Sequence, residues 1–126
     1  DANDCAQVFR SSTSVSFSSR FTPGTLSRSD TDATVPNVVI AVGNGASSKI
    51  YVSKRTPGLS ATGDAGSPDL TGDTHMLGNY VNSINAIFSQ NGATAHWLVY
   101  SGALNQTQVE YLLTGFGALC GITIGA

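Results

Sequence analysis

Apolar and polar residues alternate along much of this chain with the period of a strand. Val15, Phe17 and Phe21 fall on one face while Ser14, Ser16, Ser18 and Arg20 fall on the other, predicting a half-buried strand that Thr22-Pro23-Gly24 ends with turn chemistry. Before it, Cys5, Gln7 and Phe9 alternate with Ala6 and Val8 in a short lead-in. Residues 25–36 are rich in Ser, Thr and Asp and read as a surface loop. The run Asn37-Val38-Val39-Ile40-Ala41-Val42 predicts a strand covered on both faces, followed by the hairpin signal Gly43-Asn44-Gly45. Alternation resumes from Lys49 to Lys54, which turns Ile50 and Val52 inward and Tyr51 and Ser53 outward. Residues 55–73 hold two Pro, four Gly and three Asp and predict a long loop; short strands follow at 74–80 and 82–90, ending at Asn91-Gly92.

The stretch 95–121 organises the rest. His96-Trp97-Leu98-Val99-Tyr100 is a continuous apolar run that suits a buried strand. From Asn105 the period changes: Val109, Leu112, Leu113 and Phe116 make one helical stripe, with Asn105 as cap and Gln108 placed to complete a capping box. Gly115 supplies a left-handed stop, so the helix is expected near residues 105–114, with extended chain returning at Leu119-Cys120-Gly121-Ile122 and a last strand through Ile122 and Ile124. About seven strands and one short helix, with no alternating helix–strand units, predict a single all-β domain over 1–126.

Composition narrows the setting. Charged residues reach only 11% of the 126 positions, against about 25% in average globular proteins, so surface polarity falls to Ser, Thr, Asn and Gly. That points to an extracellular, secreted or virion surface. Four Arg and two Lys are scattered, and the net charge of -2 offers no footprint for nucleic acid or an anionic membrane. No apolar run approaches the roughly 20 residues that span a bilayer, so membrane insertion is not expected. The first residue is Asp1 rather than Met, which suggests a processed or excised segment of a longer polypeptide. Cys5 and Cys120 lie near opposite ends. Joined, they would close a loop worth about 4–5 kcal/mol in chain entropy; the alternative is two independent buried thiols.

From Lys49 onward the order of features resembles the second half of concanavalin A-like, or laminin G-like, jelly-roll domains. The resemblance is carried by Lys49-Ile50-Tyr51-Val52, a Gly/Asp-rich loop, Leu77-Gly78-Asn79 and His96 to Val109, with its Tyr-x-x-Ala-Leu-x-x-x-x-Val element, and it covers residues 49–122. Upstream it weakens, because Asn37 to Val42 lacks the Trp and His usual at that place. The resemblance implies a two-sheet antiparallel β-sandwich with adjacent termini, in agreement with a Cys5–Cys120 bridge.

Little here carries catalysis. A glycan hydrolase needs two flanking carboxylates, and Glu110 is the one Glu in the chain. His75 and His96 are the two imidazoles, and no Gly-x-Ser-x-Gly elbow accompanies them. No enzyme is expected and no cofactor is required, with calcium the candidate cation. Asp64, Asp69 and Asp73 could supply its oxygens, with Asp30 and Asp32 approaching from the other long loop, although Asp in such loops also serves as turn former. For a sugar ring, Tyr80 is the candidate stacking platform, with Asn79, Asn82 and Asn91 to take its hydroxyls; ordinary sheet packing explains Tyr80 slightly better. Asn105-Gln106-Thr107 matches the glycosylation sequon as well as a cap. The expectation is therefore a non-catalytic binding or adhesion module that recognises carbohydrate. The rival is a structural subunit of a capsid, tail fibre or filament. Its partner is then a glycan or a protein, including further copies of the chain in a larger assembly.

Overall fold

The computed structural model describes residues 6–10, 15–19, 25–28, 35–57, 79–81, 87–89, 98 and 102–126. They hold strands β1 (Ala6–Arg10), β2 (Val15–Ser19), β3 (Thr25–Arg28), β4 (Val39–Val42), β5 (Lys49–Val52), β6 (Asn79–Val81) and β7 (Ile87–Ser89), and one helix, α1 (Gln106–Cys120). The chain divides into two compact units, Asp1–Leu70 with Gly102–Ala126, and Thr71–Ser101.

In the first unit, β1, β2 and β3 form an antiparallel sheet in sequence order, with Val8 opposite Phe17 and Phe17 opposite Leu26. β4 and β5 form a separate antiparallel ribbon in which Ile40 faces Tyr51 across the ladder. Residues 43–48 close it. Gly45 takes the left-handed backbone (φ 51) that a side chain resists. The buried Ser48 hydroxyl accepts from the Asn44 N–H at 2.9 Å and donates to the Gly45 carbonyl at 2.6 Å.

β5 is the centre of the unit because both its faces are covered. Ile50 and Val52 pack with Val15 of β2 and Leu26 of β3, while Ala41 closes the side. Tyr51 points the other way and packs with Val38, Val42 and the helix residues Val109 and Leu113. Residues buried this completely contribute about 1.5–3 kcal/mol each.

α1 begins where the local chemistry says it should. The Asn105 side chain accepts from the Gln108 N–H at 3.0 Å, and the Gln108 side chain accepts from the Asn105 N–H at 2.9 Å. The helix then runs 15 residues, about 22 Å. Val109, Leu113 and Gly117 are its buried residues, at a strict spacing of four. It stops at Gly121, left-handed at φ 67, where the Gly121 N–H returns to the Ala118 carbonyl and the Ile122 N–H to the Gly117 carbonyl at 2.7 Å. That pair of reversed bonds satisfies carbonyls the helix would otherwise leave open.

The all-β, two-sheet jelly roll is corrected. What the described residues show is small antiparallel sheets, with one ribbon capped along its face by a 15-residue helix. Tyr51, expected outward, is 1% exposed: a tyrosine facing solvent needs no cover, whereas this one is buried beneath Val109 and Leu113 of the helix. The helix ending near residue 114 is corrected too. Gly115 stays inside α1 with open space around it, and Leu119 and Cys120 belong to the last turn rather than to extended chain. Residues 25–36 are not loop throughout, since β3 lies within them and Leu26 is fully buried. Ser16, expected toward solvent, is buried. Asn37 to Val42 is not covered on both faces, for Val39 is 36% exposed.

In the second unit β6 and β7 form a short antiparallel pair, with Asn79 opposite Ser89 and Tyr80 opposite Phe88. β7 sits inside the span expected at 82–90, whereas β6 covers only the end of the span expected at 74–80 and runs one residue past it, to Val81. Leu98 belongs to no strand and is 57% exposed, against the buried strand expected across it; His96, Trp97, Val99 and Tyr100 lie outside the described residues.

Candidate functional site

Two features of the first unit bring side chains together. The first is a polar clip where β5 meets the start of α1. The Tyr51 hydroxyl donates to the Gln106 side-chain oxygen at 2.8 Å. The Gln106 amide in turn donates to the Arg55 carbonyl at 3.0 Å and to the Glu110 carboxylate at 2.9 Å. Burial of Tyr51 raises its pKa above the usual phenol value, and the Glu110 charge adds to the rise, since both penalise the phenolate. Tyr51 is therefore held as a hydrogen-bond donor and not as a base. The clip fixes the first turn of α1 over the ribbon, with one glutamine satisfying three partners.

The second feature is the outer face of α1. Tyr111 is 79% exposed and Leu119 65% exposed, two turns apart on the helix. With Leu112, Gly115 and Phe116 they line a shallow groove of about 200 Å³. Gly115 forms its floor, where a Cβ would meet nothing within 4 Å. From Tyr111 to Ala126 the sequence contains no Asp, Glu, Lys, Arg or His, so the face is uncharged from Tyr111 to the helix end. The usual small-molecule site encloses about 300–1,000 Å³, so this groove is too small and too open to hold a ligand by enclosure. An uncharged apolar face of this kind suits another protein surface.

Of the residues singled out from sequence, Asn79 and Tyr80 lie on β6, one register step apart. Asn82 and Asn91 lie outside the described residues, as do Asp64, Asp69, Asp73, Asp30, Asp32, His75 and His96. Among the described residues no group of three His, Cys, Asp or Glu is placed to hold a metal ion. Cys120 is an exposed free thiol on the last turn of α1, and Cys5 lies outside the described residues. Asn105 uses its side-chain oxygen as the helix cap. Also among the described residues, no helix is long and apolar enough to cross a membrane.

The sequence reading missed the outer face of α1. The signal was present: Leu112, Phe116 and Leu119 follow helical spacing, but a stop at Gly115 cuts that series short. Comparison with family models, with curated proteins and with solved structures finds no match to this chain.

Proposed function

We propose that this chain is a non-catalytic binding module that works through protein–protein contact, with the outer face of α1 as its contact surface. The observation that carries the reading is the exposure of Tyr111 and Leu119 beside the groove at Gly115. Tyrosine at the centre of an apolar patch is a common anchor of protein interfaces. The partner is a protein surface that is itself apolar and uncharged, because Tyr111 to Ala126 offers no charged side chain to a charged one. A helix that binds in a membrane interface carries Lys and Arg on its polar face, and α1 has neither. The low charge of the whole chain supports an extracellular or virion setting.

Site-specific photo-crosslinking of the chain in the cells that express it tests this. A photoreactive residue at position 111 gives protein adducts, the same residue at the exposed Ser47 gives none, and Leu119→Ser abolishes the adducts from 111. Equal adducts from both positions, or saturable glycan binding that Tyr111→Ser and Leu119→Ser leave intact, sink the reading in favour of carbohydrate recognition.

A further inference from the structure

The end of β5 carries a second binding surface, apart from the outer face of α1, and here the structure shows what fills it. After Gly121 the segment 122–126 turns back and lies parallel to the chain at Lys54. The Gly125 N–H donates to the Ser53 carbonyl at 2.8 Å, and the Arg55 N–H donates to the Gly125 carbonyl at 3.1 Å. The Thr56 hydroxyl donates to the Ala126 carbonyl at 3.1 Å. Ser53 holds an unusual backbone, φ 50 without being glycine, kept in place because its N–H bonds to the Val38 carbonyl and its hydroxyl bonds to Val38 and Asn37. The ribbon thus holds backbone strain that presents one carbonyl and one N–H, two residues apart, to the segment 122–126, which pairs there through one isolated bridge.

The groove also selects side chains. Ile122 and Ile124 are half-buried against the cluster beneath α1. Gly117 leaves the notch that Ile124 enters, since a Cβ there would lie 2.7 Å from Ile124 Cγ1 and 2.8 Å from the Ile122 carbonyl. A Cβ at position 125 would come within 3.3 Å of Lys54 Cγ, so a small residue there spares the Lys54 side chain a shift. Together these read the pattern Ile-x-Ile-Gly in an extended conformation, which is strand addition with side-chain specificity.

We propose that this groove is a strand-acceptor site and that its segment 122–126 exchanges between two copies of the chain. Gly121 is the hinge, and a second copy supplies the identical segment, so the exchanged form rebuilds the contacts of residues 122–126 and gives up the Gly121 N–H bond to the Ala118 carbonyl. The groove is filled in cis when copies are dilute and in trans when they are concentrated.

A labelled peptide Gly-Ile-Thr-Ile-Gly-Ala is the probe. Gly125→Pro removes the N–H given to Ser53 and frees the groove, with the far-UV signal of α1 as control for folding. The peptide binds this variant saturably and binds the native chain at least tenfold more weakly, and a peptide with Asp at the place of Ile124 does not bind. Native chain at high concentration scatters light as two copies, and Gly125→Pro remains single. If Gly125→Pro loses the helix, an Ile124→Asp chain takes its place in both measurements. Absence of peptide binding to a folded variant overturns the acceptor site. Peptide binding with the native chain single at every concentration overturns the second copy as its source.

Discussion

Replacing Tyr51 by Phe removes one oxygen and keeps the buried ring. At neutral pH the variant loses the 2.8 Å bond to Gln106. Gln106 is itself exposed, so water can satisfy its oxygen, and the loss falls within about 0.5–1.5 kcal/mol. With a urea slope of about 2 kcal/mol/M, a loss near 1 kcal/mol lowers the unfolding midpoint by about 0.5 M. The pH dependence is the sharper test. Burial, reinforced by Glu110, raises the folded-state pKa of Tyr51 above the unfolded value near 10. A group raised on folding contributes stability that is whole below the unfolded pKa and is lost as pH climbs through the folded one. The native chain therefore loses stability above about pH 10 through a group that Tyr51→Phe lacks. Urea titrations of both chains, followed by far-UV circular dichroism from pH 7 to 11, should show the gap narrowing above pH 10. Equal stability at pH 7, or a gap constant across the range, would refute the buried, hydrogen-bonded tyrosine.

Four further substitutions probe the helix. Leu113→Ala empties a fully buried site and should cost about 2–5 kcal/mol in the same unfolding assay. Asn105→Ala removes the cap and should cost about 1 kcal/mol. Gly115→Ala should stabilise by about 0.5–1 kcal/mol, because the site is open and helical, whereas Gly117→Ala should destabilise by about 1–3 kcal/mol against Ile122 and Ile124. Equal effects at the two glycines would show that α1 does not end as described.

What could be seen in the sequence was local. Asn105 and Gln108 mark the start of α1 because a cap needs only four consecutive residues. The end depends on distant partners: whether Gly115 or Gly121 stops the helix is decided by Leu113 and Gly117 having Tyr51, Ile122 and Ile124 to pack against. Alternation places Ile50 and Val52 together and Tyr51 opposite, and that separation holds. It cannot tell which face is buried when a strand is covered on both. β3 escaped notice because Leu26 is its one apolar residue, and pairing with β2, rather than its own hydrophobicity, makes it a strand. The hairpin at Gly43-Asn44-Gly45 was legible, since Gly45 needs its positive φ in any context.

The packing of α1 across Tyr51 underlies both the contact surface and the strand groove. Through-space magnetisation transfer in a methyl-labelled sample measures it directly. Cross-peaks from the Tyr51 ring to the Val109 and Leu113 methyl groups, together with helical shifts through Cys120, are the expected result. A Tyr51 ring with no cross-peak to either methyl-bearing residue would contradict the account.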